Sequence, residues 1–188
     1  MRNKGTRRRE FLKTAAAALS VPSWIPATTL AGPGRPGAND RIHVGLIGAG
    51  NRSKDLTRES PSDIALVAVA DCDRRMMADY LTAMRQLPDS IVAEKCSQYQ
   101  DYREMIAKEK LDGVFVATPT HVRILACARA MEAGLDVYAE KPLTLTIEEG
   151  HYLVRAEAKY GTVFQTGTQQ RSIAINNYGS DLIRSGAI

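Results

Sequence analysis

The stretch Val44-Gly45-Leu46-Ile47-Gly48-Ala49-Gly50-Asn51-Arg52, followed by Asp71 at the close of the next apolar run, decides the fold of this chain. Ile42, Val44 and Leu46 alternate along a strand that ends at Gly48 and Gly50. Glycine lets the backbone turn tightly and come close to a pyrophosphate, whose charge then sits on the first N–H groups of the following helix. The second apolar run, Ile64 to Ala70, ends at Asp71. A carboxylate there, about 20 residues past the glycines, accepts hydrogen bonds from the hydroxyls of an adenine ribose. Strand, glycines, helix, strand and terminal aspartate in that order read as a dinucleotide site. Ser53 stands at the third glycine place of this fingerprint; it is small, and its hydroxyl could donate to a phosphate. The helix from about Asn51 to Ser60 offers Leu56 as its one large apolar residue before Pro61, which predicts loose packing on the sheet.

Downstream, β-rich runs alternate with helical patterns, as in a parallel sheet with helices on both faces. Strands are predicted at 42–47, 63–70, 91–96, 112–117, 135–139 and 162–166, so the fold class is α/β, a Rossmann-type doubly wound parallel sheet over 41–166. Met76, Met77, Tyr80, Leu81 and Met84 form one apolar helical stripe, and Tyr102, Met105 and Ile106 another; both read as core. Thr120 is expected to cap a helix over 121–133 that Gly134 ends. Thr146 and Glu149 make a capping box for a helix that runs to Tyr160 and stops at Gly161. Cys72, Cys96 and Cys127 are odd in number and widely spaced, and read as small core residues; no disulfide framework and no metal site is expected.

The 188 residues carry a formal net charge of +4. Residues 1–40 hold seven basic side chains against Glu10 and Asp40, a net +5, so the remainder stands at −1. The globular part is nearly neutral, so nothing in its charge argues for a nucleic-acid surface. The basic segment Arg7-Arg8-Arg9-Glu10-Phe11-Leu12-Lys13 leads into an alanine-rich apolar stretch, a secretory leader pattern. It resembles the twin-arginine export signal, with Arg8 and Arg9 as the pair and Arg7 in place of the usual Ser or Thr. Pro22 and Pro26 interrupt the apolar stretch, so no stable membrane span is expected. Residues 1–31 are assigned as the leader and 32–40, rich in Gly and Pro, as a linker. The resemblance implies an exported, periplasmic or extracytoplasmic protein. That route carries folded proteins, which suits a fold that loads its nucleotide in the cytoplasm.

In an open α/β sheet ligands bind beyond the carboxyl ends of the strands. Three further segments end there: Ala117-Thr118-Pro119-Thr120, Ala139-Glu140-Lys141-Pro142, and Gln165 to Arg171. A lysine held at a strand end beside a cofactor can donate to a substrate oxygen and stabilise alkoxide character during hydride transfer. Pro142 fixes the local turn, in the trans or the cis form.

Residues 42–188 resemble the amino-terminal half of the glucose–fructose oxidoreductase/inositol dehydrogenase/MocA family. The resemblance rests on Gly48-Ala49-Gly50-Asn51-Arg52, Val67 to Asp71, Asp112 to Pro119, Ala133 to Pro142 and Gly167 to Ser172. It implies an NAD(P)-dependent oxidoreductase acting on a sugar, a cyclitol or a related polyol. Lys141 is then the catalytic residue, and Gly48, Gly50, Asn51, Arg52 and Asp71 bind the cofactor. Thr118 and Pro119 line its nicotinamide side, Glu140 lies near the nicotinamide ribose, and Arg171 approaches cofactor or substrate. Asp71 favours NAD by repelling a 2′-phosphate, although Arg74 and Arg75 could receive one, so NADP stays open. Arg123 occupies a place where many members carry His. His121 and His151 are expected to be solvated or packing residues.

The family's second, carboxy-terminal α/β substrate domain is expected to be missing, with 167–188 as its start. The 188-residue chain alone is therefore expected to be inactive, and the full-length form to be a homo-oligomer. The alternative is a stand-alone nucleotide-binding module, or a truncated product, without catalysis.

Overall fold

Six strands form one fully parallel sheet: β1 (Ile42–Ile47), β2 (Ile64–Ala70), β3 (Val92–Tyr99), β4 (Gly113–Val116), β5 (Asp136–Glu140) and β6 (Phe164–Gly167). Their order is β3-β2-β1-β4-β5-β6. The chain therefore winds outward from β1 to one edge and then returns to build from β4 to the other. In this computed structural model the described residues are 37 and 40–187. The leader assigned to 1–31 and the linker, apart from Gly37 and Asp40, lie outside the described residues.

Helices α1 (Asn51–Arg58), α2 (Arg74–Arg85), α3 (Tyr102–Lys108), α4 (Thr120–Glu132), α5 (Ile147–Tyr160) and α6 (Ala174–Arg184) connect or follow the strands. The central strands are buried on both faces, which is why β1, β2 and β4 read as apolar runs. One face packs Val44, Leu46, Leu66 and Val69 against Met77, Tyr80, Leu81 and Met84 of α2. The other packs Ile47, Val114, Val116 and Val137 against Cys127, Ala130 and Met131 of α4 and Leu153 and Ala156 of α5. Burial pushes the Cys96 thiol up to about 11 and the Cys127 thiol to about 12, so both stay neutral packing groups at physiological pH.

Several expectations need correction. β3 runs to Tyr99, three residues beyond its predicted end at Cys96; as an edge strand it shows too many polar residues to read as buried. Met76 is exposed, because the stripe facing the sheet is Met77, Tyr80, Leu81 and Met84 and Met76 falls one position to its side. Cys72 is exposed at the end of β2 and is not a core residue. Thr120 is the first residue of α4 and makes no cap; Pro119 holds the cap position, and its missing N–H costs nothing where the amide would be unpaired.

α1 is short, as its sequence implied, but it is not loose. Ser53 and Thr57 are buried with Leu56, and the Thr57 hydroxyl donates to the Ser53 carbonyl at 2.8 Å and meets the buried Tyr80 hydroxyl of α2. A polar contact thus replaces the missing apolar one. The Ser53 hydroxyl, offered above as a phosphate donor, is spent on the Gly50 carbonyl.

Gly134 and Gly161 end α4 and α5 with φ of +79° and +69°. Among the described residues no helix is long and apolar enough to cross a membrane. At the start of α5, Thr146 Oγ1 accepts from the Glu149 amide at 3.2 Å while the Glu149 carboxylate accepts from the Thr146 amide at 3.4 Å and the Leu145 amide at 2.7 Å. Thr146→Ala should therefore cost about 1 kcal/mol of stability in a urea titration; no shift of the midpoint would show that the box is idle.

Candidate functional site

At the reversal of strand order, between β1 and β4, a cleft of about 740 Å³ opens at the carboxyl ends of the strands. Two hydrogen bonds aim the glycine loop into it: the Gly48 amide donates to the Ala70 carbonyl at 2.8 Å, and the Ala117 amide donates to the Ile47 carbonyl at 2.9 Å. Gly48 sits at φ +96°, and a Cβ there would lie 3.0 Å from the backbone of Ala117 and Thr118. Gly50 differs: its φ is −78° and a Cβ would meet nothing within 4 Å. Gly50 is also the cap residue of α1, with no side chain capping the helix and no acidic residue in its first turn. The amino end of α1 thus presents N–H groups and a positive dipole end to open space.

Asp71 does more than face a ligand. Its Oδ2 accepts from the Ala49 amide at 2.8 Å and its Oδ1 from the Asp73 amide at 2.9 Å, while its own amide donates to the Tyr99 carbonyl at 3.0 Å. Each carboxylate oxygen keeps a second acceptor site for a hydroxyl. Met76, Cys72, Gln100, Tyr102 and Arg103 continue the wall on this side. The neighbouring arginines are already engaged. Arg74 Nε donates to Gln100 Oε1 at 2.7 Å, Arg75 forks onto Asp73, and Arg103 forks onto Asp101. Hydrogen bonds from Arg75 hold the Asp73 carboxyl below its ordinary range, and those from Arg103 hold Asp101 down at about 2.

Ala117, Thr118, Pro119, Val122 and Ala126 form the opposite wall. Thr118 Oγ1 is buried and has no hydrogen-bond partner among the described residues. Of the ten residues singled out from sequence, Gly48, Gly50, Asn51, Arg52, Asp71, Thr118 and Pro119 line this one cleft. Glu140, Lys141 and Arg171 do not. Glu140 is 2% exposed, and its Oε1 accepts from Arg52 Nε at 2.8 Å, so it joins the end of β5 to the first turn of α1. Burial opposes the Arg52 charge, but the hydrogen bond and charge of Glu140, with Glu59 and Asp55, outweigh it and raise the guanidinium pKa. Lys141 is exposed, and its peptide bond to Pro142 is cis. Arg171 is exposed on a short 3-10 turn after β6. His121 and His151 are exposed, as expected.

Arg123 was not among those ten. It is 4% exposed and donates to the carbonyls of Thr118 and Pro142. Burial lowers its guanidinium pKa. The sequence marked it as a departure from the family's His, and its place on the inward stripe of α4, level with Ala126, Cys127 and Ala130, was a further sign. Among the described residues no group of three or more His, Cys, Asp or Glu is placed to hold a metal ion.

A dinucleotide fits these residues. The open space at Gly50, the uncapped end of α1, the spare acceptor sites on Asp71 and the orphaned Thr118 hydroxyl match a pyrophosphate, a ribose and a further polar group. The two glycines then separate experimentally. Gly48→Ala should lose about 1–3 kcal/mol of stability through its positive φ and backbone crowding. Gly50→Ala should leave stability within about 0.5 kcal/mol yet weaken nucleotide binding about tenfold by filling the approach to the backbone. Equal loss of stability in both variants would refute this division.

The model of the oxidoreductase family with the NAD-binding Rossmann fold matches residues 42–168. The chain is 24% identical over 192 residues to a glycosyl hydrolase family 109 protein of Shewanella pealeana, covering 93% of this chain and 40% of that one. It is 27% identical over 148 residues to the rhizopine catabolism protein MocA of Rhizobium meliloti, covering 79% and 44%. Its fold matches scyllo-inositol dehydrogenase from Lactobacillus casei, solved with NAD(H) and scyllo-inositol, at a TM-score of 0.67 and 20% identity, covering 79% of this chain and 42% of that one. The chain thus spans less than half the length of these relatives. With residues 42–168 matched and the glycine loop, Asp71 and the Thr118–Pro119 wall gathered on one cleft, the chain belongs to the Gfo/Idh/MocA oxidoreductase family and covers its NAD-binding Rossmann half.

Proposed function

We propose that this chain is the cofactor-binding half of an NAD-dependent oxidoreductase that transfers a hydride to or from a sugar, a cyclitol or a related polyol. The observation that carries the reading is the pairing of the uncapped α1 terminus at Gly50 with the Asp71 carboxylate across one cleft. When bound, the nicotinamide ring supplies the hydride acceptor or donor. The α1 amides hold the pyrophosphate, and Asp71 accepts from the adenine ribose. NAD is preferred to NADP because Asp71 would repel a 2′-phosphate and Arg75 is neutralised by Asp73, while Arg74, bonded to the neutral Gln100 amide, keeps its charge and leaves NADP open. Thr118 and Pro119 border the nicotinamide, and Arg52 and Glu140 fix the loops on either side of its ribose.

Lys141 is the catalytic residue in this reading. Exposed beside the cleft, not within it, it faces the substrate and moves a proton at the reacting hydroxyl. Arg171 is assigned to cofactor or substrate contact. A relative aligned over 93% of this chain is a glycosyl hydrolase family 109 protein, which favours a second reading in which the substrate is a glycoside.

Calorimetry of the chain with NAD tests the reading. Asp71→Ala should weaken binding by about 1–3 kcal/mol, while Lys141→Met should leave it unchanged. Equal affinity in wild type and Asp71→Ala would overturn the ribose assignment.

We also propose export by the twin-arginine route, on the strength of Arg8-Arg9-Glu10-Phe11-Leu12-Lys13 ahead of the alanine-rich stretch. Replacing both Arg8 and Arg9 by Lys should keep the protein in the cytoplasmic fraction; unchanged export would dismiss the leader.

A further inference from the structure

Arg123 breaks two rules at once. Its charge is buried, and among the described residues no carboxylate forms an ion pair with it; its partners are neutral carbonyls, and its Nε has no partner at all. A desolvated cation is costly unless its surroundings repay it. It also stands in the first turn of α4, where the helix dipole favours anions. Local rules broken in a packed scaffold mark positions kept for another reason.

The bonds it makes supply that reason. One guanidinium nitrogen donates to the Thr118 carbonyl, on the wall of the cleft. The other donates to the carbonyl of Pro142, next to Lys141. These carbonyls belong to loops leaving two neighbouring strands, β4 and β5. A planar fork with donors on separate nitrogens can span two acceptors that an ammonium, a point charge, cannot hold together.

We propose that Arg123 is a positioning residue. It sets the Lys141–Pro142 turn against the Thr118–Pro119 wall, so that the nicotinamide end of the cleft and the lysine beside it keep one geometry. The adenosine end, built from Gly48, Gly50 and Asp71, does not depend on it. This inference rests on the dinucleotide reading above.

The test compares two ligands on the full chain. ADP engages the pyrophosphate and adenosine parts of the cleft alone; NAD engages the nicotinamide end as well. Arg123→Met should weaken NAD about tenfold, the scale of losing hydrogen bonds to a charged group, and leave ADP unchanged. Arg123→Lys keeps the charge and guards against a variant that fails to fold. It should lose NAD affinity too, with ADP again unchanged, because the amine reaches one carbonyl only. Hydrogen exchange in the Lys variant should rise at the amides of Leu143 and Thr144 and stay level at Ala49.

An unchanged NAD-to-ADP ratio in both variants would overturn the proposal, and so would full recovery in Arg123→Lys. Equal weakening of both ligands would make Arg123 a purely structural residue, again overturning it. Wild-type chain that binds neither ADP nor NAD would instead sink the dinucleotide reading, and the inference with it.

Discussion

Two backbones pass each other at the switch point, and the cleft depends on how closely they do so. Gly48 leaves β1 at a positive φ with its Cα directly over the peptide that joins Ala117 to Thr118, where a Cβ would sit 3.0 Å from three backbone atoms. That approach keeps the end of β1 low against the end of β4. It turns the loop so that Gly50 and the first turn of α1 face the gap between the two halves of the sheet. Parallel pairing from β3 to β6 puts every carboxyl end on that same side. Burial of Leu46, Val69 and Val116 holds the strands rigidly enough for the approach to persist.

Around this fixed point, charge ties the strand ends together pairwise. Asp71 joins β2 to the glycine loop through the Ala49 amide, Arg52 joins that loop to β5 through Glu140, and Arg123 joins β4 to the turn after β5. Each link crosses between elements far apart in sequence. Two of the three bury a formal charge, which is costly unless its bonds are well formed. The sheet supplies the stability and the charged links supply geometry. An account based on apolar burial alone would have left Glu140 and Arg123 unexplained.

Periodicity and glycine placement made most of the sheet legible. The apolar runs at β1, β2 and β4 are continuous because those strands are buried on both faces, and Gly134, Gly161 and the Thr146–Glu149 box mark helix ends by local chemistry. The misreadings have separate causes. Tyr80, 23 residues away, is what makes Thr57 a packing residue. Met76 lies one position off a buried stripe and Cys72 two residues past the buried end of β2, and neither pattern shows that they line a cleft. Arg123 looked like a departure from a motif because its acceptors are carbonyls, which leave no mark on a sequence.

Seven of the ten expected residues share one cleft, and the three that do not lie at the end of β5 (Glu140) or beyond β5 and β6 (Lys141 and Arg171). That division matches what the proposed function asks each group to reach. Residues that hold a nucleotide contact its backbone and hydroxyls, so they sit at the ends of β1, β2 and β4, where N–H groups and carboxylates converge. A lysine that moves a proton in that reading has to meet the hydroxyl oxygen of a substrate whose carbon lies next to the nicotinamide, so it belongs at the rim and not inside the cleft. Its accuracy then depends on the turn that carries it. Glu140, immediately before Lys141, is anchored by Arg52, and Pro142, immediately after it, is anchored by Arg123. The exposed lysine is thus bracketed by two buried charged contacts, one reaching back to the first turn of α1 and the other to the Thr118–Pro119 wall. Its position is tied to the walls of the cleft that the proposed function gives to the cofactor.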